Sequence, residues 1–247
     1  MPPREAPARA GAMRLQVRGL TVRFGGLAAL TDVDLDVADG QVVGLIGPNG
    51  AGKTTVFNAV SGLVRPAAGA ITVAGRPAPR APSGLARAGV ARTLQGLGLF
   101  PGLSVLENVE VGALATPDLA ARALRALDDL GIADRAALPV GALPYPEQKK
   151  VALARALVAE PRLLLLDEPA GGLGAADIAE LDAVVRRVAA TGCAVLLVEH
   201  HVDFVMGLCD RVVVLDFGRV IADGLPDDVR RDPAVTAAYL GIEVSAP

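Results

Sequence analysis

Cysteine is nearly absent: Cys193 and Cys209 are the only two in 247 residues. Neither stands in a metal-ligand spacing, and each falls in or beside an apolar segment. That pattern excludes a disulfide framework and fits buried free thiols in a reducing cytosol. Long apolar runs are also missing. The chain is 52% hydrophobic with a mean hydropathy of +0.44. Alanine supplies much of that figure, and no run approaches the ~18 residues a membrane-spanning helix needs. The longest candidates, RLLLLD and CAVLLVEH, have the length of buried strands. The chain is therefore expected to be soluble by itself and free to dock on a membrane partner. Charge of one sign is lacking too: 24 basic and 27 acidic residues leave a net −3 and a pI near 5.5. No long basic stripe occurs, which argues against a general nucleic-acid binder. The N-terminus, MPPREAPARAGAM, has no apolar h-region and is not a secretory signal. Residues 1–13 read as a disordered tail.

What is present alternates in character. From Arg14 to Val43 apolar residues recur at every second position: Leu15 and Val17, Leu20 and Val22, then Val33, Leu35 and Val37. Period two predicts half-buried strands. Val42–Ile46 is instead continuously apolar and ends in glycine, as a buried parallel strand does. A glycine-rich turn and a helical stretch to about Gly62 follow. GAITVAG (69–75) and GVARTLQ (89–95) are further strand candidates. The sequence then turns helical from about Gly96 to Glu160. Ser104 with Glu107 three residues on is a capping box. DLAARALRALDDLG runs from Asp118, a suitable N-cap, to Gly131, a suitable C′ residue. After Pro161 strands and helices alternate again: RLLLLD, the helix AADIAELDAVVRRVAA, CAVLLVEH, the short helix VDFVMGL and the hairpin RVVVLDFGRVIADG. DPAVTAAYLG closes the chain as a helix, within a tail of about 226–247. The expected architecture is an α/β core with an antiparallel β lobe at its start and an inserted helical lobe. It fills one unit from residue 14 to 247.

Three segments carry chemistry. GPNGAGKTT, Gly47 to Thr55, fits G-x-x-x-x-G-K-[ST] between a strand and a helix. Its glycines let N–H groups from about Gly50 to Thr54 converge on an anion, and the helix N-terminus adds its dipole. Lys53 supplies a point charge for β- and γ-phosphates, and the Thr54 hydroxyl is a candidate Mg²⁺ ligand. LLLLDEP, Leu163 to Pro169, delivers two carboxylates at the C-terminal end of a strand, where ligands sit in open α/β sheets. Asp167 is expected to hold Mg²⁺ through water, and Glu168 to polarise the attacking water. His200 ends CAVLLVEH and Gln95 ends GVARTLQ at the same edge. Each alone would be an ordinary polar strand end. Together with the phosphate loop, His200 becomes a catalytic candidate, and Gln95 a candidate to reach Mg²⁺ or the attacking water.

With these motifs the chain resembles the ATP-binding subunits of ABC transporters, over nearly its whole length after Met13. GPNGAGKTT (Gly47, Pro48, Asn49, Gly50, Ala51, Gly52, Lys53, Thr54, Thr55) looks like Walker A, Gln95 like the Q-loop, LLLLDEP like Walker B and His200 like the switch histidine. Phe24 matches the aromatic that stacks on adenine. The resemblance implies a P-loop (RecA-like) ABC ATPase core. It also implies ATP and Mg²⁺ as cofactors, and Mg-dependent hydrolysis coupled to transport. RFGGLAAL, ARTLQGLGLF, LLVEHHVDFVM and the terminal GLPDDVRRDPAVTAAYLG look like the group serving branched-chain amino-acid uptake. A lipopolysaccharide-export ATPase and urea or amide importer ATPases have similar tails. The implied partners are transmembrane permease subunits, a second ATP-binding subunit, identical or different, and indirectly an external solute-binding protein. The implied place is the cytoplasmic face of the cell membrane, peripherally.

One stretch departs from the family pattern. LPYPEQ, from Leu143, occupies the signature position, usually LSGGQ, which in a head-to-tail pair faces the γ-phosphate held by the other subunit. Leu143 matches. Pro144 replaces the serine, Tyr145 and Pro146 the glycines, and Glu147 the glutamine. Proline offers no N–H, and Glu147 brings negative charge toward a polyphosphate. Gly174, in PAGGLG, likewise stands where the family usually has an aspartate. These departures leave two readings open: a transport ATPase, or a nucleotide-binding regulatory subunit that closes on ATP but hydrolyses it poorly. A soluble ABC protein of DNA repair or translation usually carries two cassettes or long coiled-coil inserts, and neither is present.

Overall fold

The computed structural model describes residues 12–113 and 117–240. Most of the tail expected over residues 1–13, and the last seven residues, lie outside the described residues. Met13 already pairs with Ala38. The first strands, β1 (Met13–Phe24) and β2 (Leu27–Ala38), form an antiparallel hairpin. Their alternating apolar residues Leu15, Val17, Leu20, Val22, Val33, Leu35 and Val37 are all buried. β4 (Ala68–Val73) and β5 (Arg76–Pro77) extend this sheet in the order β2-β1-β4-β5.

The larger sheet has six strands. β3 (Val42–Ile46), β6 (Val90–Arg92), β7 (Leu163–Asp167), β8 (Ala194–Val198), β9 (Arg211–Asp216) and β10 (Arg219–Gly224) stand in the order β10-β9-β3-β8-β7-β6. All neighbours pair in parallel except β9 and β10, which form the expected hairpin. Its central strands are apolar except at their ends, such as Asp167 on β7, because both faces are covered. Val43, Leu45, Leu163, Leu165, Leu196 and Val213 pack toward the antiparallel sheet and α1 (Lys53–Val60). Their neighbours Val42, Ile46, Leu164, Leu166, Leu197 and Val214 pack with the opposite helices. These helices include α2 (Val105–Glu110), α3 (Leu119–Asp128), α4 (Tyr145–Leu157), α5 (Ala175–Ala190) and α6 (Val202–Leu208). The chain ends on α7 (Pro226–Arg231) and α8 (Pro233–Leu240).

Between Gly96 and Glu160 the regular elements are helical. The capping box forms: Ser104 Oγ accepts from the Glu107 N–H, and the Ser104 N–H donates to Glu107 Oε2 at 2.7 Å. Gly131 closes α3 in a Schellman arrangement at φ 67°, with Ile132 N–H donating to Leu127 O and Gly131 N–H to Asp128 O. The other end of α3 differs from expectation. Asp118 is left-handed, with φ 56°, and its side chain makes no cap bond. A side-chain cap requires extended backbone at that residue, and Asp118 lacks it. Two strands are also shorter than the sequence suggests. β6 stops at Arg92 and β8 at Val198. Gln95 and His200 therefore sit in the loops just beyond the sheet, not at strand ends.

Both thiols are buried and free. Burial pushes Cys193 from its ordinary value near 9.0 up to about 11, and raises Cys209 further. The folded state therefore favours the neutral thiol, and this contribution to stability is lost as pH rises from 9 through 11. At pH 8 the thiolate fraction of Cys193 is ~100-fold lower folded than unfolded. Ellman's reagent is expected to label both cysteines promptly in denaturant and only slowly in native protein. Prompt native labelling would contradict this burial.

Candidate functional site

Parallel pairing brings the C-terminal ends of β3, β6, β7 and β8 to one edge. From β3 the chain curls through Gly47 at φ 149°, Gly50 at 82° and Gly52 at 107° into α1. A Cβ on Gly47 would lie 2.1 Å from Leu215 O, and one on Gly52 2.6 Å from Leu30 Cδ2. The loop is therefore pressed against β9 and β2 in a shape that only glycine allows at these positions. Asn49, Gly50 and Thr54 stay exposed, Pro48 and Thr55 are partly so, and Ala51 is buried. Lys53 is mostly buried, and its Nζ donates to Gly47 O at 2.6 Å and Pro48 O at 2.9 Å. Burial lowers its pKa, and the Glu168 carboxylate works against that shift. The lysine thus rests on its own loop, where an anion would offer it stronger partners.

Opposite stand the carboxylates of β7. Asp167 is buried, and its Oδ2 accepts from Arg92 Nη2 at 2.9 Å. Its N–H donates to Thr93 Oγ1 at 3.1 Å. Glu168 has φ 47°, uncommon for a side chain with a Cβ and costing on the order of 1–3 kcal/mol. Its N–H donates to Val198 O, so the neighbouring strand over-determines that conformation. Glu168 Oε2 accepts from Gln95 Nε2 at 2.8 Å, and its Oε1 lies 3.9 Å from His200 Nδ1. Gln95, Glu168 and His200 are therefore gathered, although they come from three separate loops.

The expected residues do not all meet. Phe24 is 52% exposed at the end of β1, beside the hairpin turn. Leu143 is buried, whereas Pro144 caps α4 and is exposed. Tyr145, Pro146 and Glu147 form the first turn, where only Tyr145 and Glu147 retain an N–H. Glu147 already places its carboxylate at the positive end of the helix, 3.6 Å from Arg135 Nε. A Cβ on Gly172 would lie 2.9 Å from the Tyr145 ring, so that ring covers the loop after β7. Among the described residues no hydrogen bond or ion pair joins 143–147 to 47–55.

Sequence reasoning missed the groups behind this edge. Glu199 is fully buried; its Oε1 accepts from Ala170 N–H and its Oε2 from the His200 and His201 N–H groups. Lys149 donates to Glu168 O and Pro169 O. Arg155 fastens the segment after Gln95 through Leu97 O and Gly98 O. A charged residue closing an apolar strand, as in LLVEH, was the available signal for Glu199. Lys149 and Arg155 have none, because their acceptors are distant carbonyls. The last helix also reaches the phosphate loop. Burial raises the pKa of Tyr239 on α8, and the nearby Gly47 backbone opposes that shift.

A strand, a glycine-rich anion loop, a helix and an acidic strand end facing it define the phosphate-binding class of α/β proteins. The comparisons carry the assignment further. The family described as "ABC transporter" matches residues 30–171, more than half the chain, and "Branched-chain amino acid ATP-binding cassette transporter" matches 219–245. The chain belongs to the ABC transporter ATP-binding family. The high-affinity branched-chain amino acid transport ATP-binding protein LivG of Salmonella typhimurium is 38% identical, covering 92% of this chain and 97% of that protein. BraF of Pseudomonas aeruginosa, of the same description, has the same identity and coverage. The lipopolysaccharide export system ATP-binding protein LptB of Acidithiobacillus ferridurans is 35% identical over 92% of this chain and 96% of its own. A solved ATP-binding cassette in its ADP conformation superposes with TM-score 0.85 at 27% identity, covering 93% of this chain and 99% of that one. The fold is that of the ABC ATPase cassettes.

Glu199 gives the sharpest test of the supporting network. Replacing it by alanine orphans three backbone N–H groups, and bonds to a charged acceptor contribute roughly 1.5–3 kcal/mol each. Only the Ala170 bond is fully buried, and the part-buried His200 and His201 N–H groups can turn to water, so urea unfolding of Glu199→Ala is expected to show a loss of about 2–4 kcal/mol. An unchanged midpoint would mean the carboxylate holds nothing.

Proposed function

We propose that the chain is the ATP-binding and ATP-hydrolysing subunit of an importer, with branched-chain amino acids as its solutes. The observation that carries this is the convergence of Lys53, Asp167, Glu168, Gln95 and His200 on one sheet edge. The names of the relatives and the match at 219–245 support the solute class. N–H groups from Gly50 to Thr54 and the Lys53 ammonium bind the phosphates, and Phe24 stacks on adenine. Glu168 polarises the attacking water, with Gln95 and His200 orienting it. Thr54, Asp167 and Gln95 offer hard oxygen donors, which suit Mg²⁺. No protein donor among the described residues reaches Asp167 Oδ1, so one carboxylate oxygen stays free for it. When bound, the ion neutralises charge developing on the phosphates.

The same reading makes the chain one of a pair, because its own loop meets no signature of its own. It docks on permease subunits at the cytoplasmic face through Gln95 and the segment near Leu97 to Val111. Exposed Leu94 and Phe100 flank that surface. No helix among the described residues is long and apolar enough to cross a membrane. The solute-binding protein acts through the permease, and nucleic acid has no part.

One observation favours a second reading, a regulatory subunit with weak turnover. The N-cap and first turn of α4 lack the N–H groups of two prolines, Pro144 and Pro146, and carry Glu147. Loss of one hydrogen bond to a charged group, roughly 1.5–3 kcal/mol, slows closure or turnover by about ten- to a hundredfold. Steady-state Mg-ATPase rates decide, with wild type beside Pro144→Ser/Pro146→Gly and Glu168→Gln as the zero. A severalfold gain in the double variant assigns weak turnover to LPYPEQ. Equal rates well above the zero make it a working signature. A wild type and a double variant both at the zero, in the assembled transporter, would sink the ATPase reading.

A further inference from the structure

Arg92 is a cation set into the sheet edge beside Asp167, and the reading above gives it no task. It ends β6 with a side chain 9% exposed. Nη2 donates to Asp167 Oδ2 at 2.9 Å, while Nη1 donates to Asn58 Oδ1 at 2.9 Å and Ser61 Oγ at 3.1 Å. Its guanidinium lies 5.6 Å from the centre of the Phe57 ring. Phe57 and Asn58 belong to α1 and Ser61 caps it, and the first residues of that helix are Lys53 and Thr54. The next residue, Thr93, holds the other end of the aspartate by accepting the Asp167 N–H. Arg92 and Thr93 thus clamp Asp167 by side chain and main chain together, and leave Oδ1 without a protein donor.

We propose that Arg92 is a positioning residue for the metal–nucleotide site. It holds the Asp167 carboxylate in one orientation, keeps Oδ1 as the free ligand atom, and ties that atom to α1 and hence to the phosphate loop. A carboxylate on a single bond turns freely unless something bonds its second oxygen. A guanidinium does this well, because its planar fork reaches acceptors on two elements at once. Outer partners of metal ligands typically govern 10–100-fold in metal affinity. A pair that merely braced β6 against β7 and α1 would affect stability and leave metal affinity alone.

The test is Mn²⁺ binding, followed by electron paramagnetic resonance, to the protein loaded with a non-hydrolysable ATP analogue. Melting temperature is measured in parallel. For Arg92→Met the Mn²⁺ midpoint is expected to rise about 10–100-fold. Arg92→Lys keeps the charge but cannot bridge Asp167, Asn58 and Ser61 together, and is expected to fall between. A midpoint within about twofold of wild type for Arg92→Met, even at a lower melting temperature, overturns the proposal. If Arg92→Met does not fold, Asn58→Ala/Ser61→Ala decides, since it frees Nη1 and leaves the ion pair. A rise of about threefold or more supports the role, and no rise overturns it. The inference rests on the Mg-ATP reading, and the two fail separately. Wild type without Mn²⁺-dependent nucleotide binding sinks that reading, whereas binding that is the same in wild type and variants sinks only the role of Arg92.

Discussion

Parallel pairing of β3, β7 and β8, each buried on both faces, sets where the chemistry sits. In register, Leu45 faces Val198 and Asp167 also faces Val198. The glycine loop, the acidic pair and the Glu199-His200 segment must then emerge side by side. A slip of one residue would exchange the side chains that face the two layers. Both layers are closely packed, toward the antiparallel sheet on one side and the helices on the other, so such a slip has no favourable alternative. The site's geometry is therefore a consequence of core packing.

Around that edge buried and half-buried charge is arranged to hold loops rather than to react. Glu199 receives three backbone N–H groups, Lys149 donates to two carbonyls, and Arg155 donates to two more. Each is a charged group spending its bonds on irregular backbone that no ladder satisfies. The loops after β6, β7 and β8 have few hydrogen bonds of their own, so these side chains give them shape. The positive φ of Glu168 is kept in the same way, by its N–H bond to Val198 O. The helical lobe shares in this network, since Lys149 and Arg155 both stand on α4. Movement of that lobe must then be felt at Glu168 and at the segment after Gln95.

Much of this was legible in the sequence. Period two in β1 and β2, continuous apolar runs in β3, β7 and β8, the capping box at Ser104 and Gly131 at the end of α3 follow from local rules. So did the placement of Lys53, Asp167 and Glu168 on one edge, because a parallel sheet puts loops after strands together. Gln95 and His200 were placed at strand ends and lie just beyond them: β8 ends with β7 at Val198, and β6 leaves β7 after Arg92, where Thr93 Oγ1 takes the Asp167 N–H. Asp118 failed as a cap because residue type does not fix φ. The contacts of Arg92 with α1 and of Tyr145 with Gly172 had no local signal, because they join residues far apart in the chain.

The central claim is that this edge holds a nucleotide by its phosphates. The most direct measurement is a crystal structure of Glu168→Gln with Mg-ATP. The account predicts the phosphates within the Gly47–Thr55 loop, with Lys53 Nζ moved off Gly47 O and Pro48 O onto them. It also predicts the metal beside Thr54 and Asp167. Nucleotide bound elsewhere, or Lys53 unmoved beside it, would contradict the account.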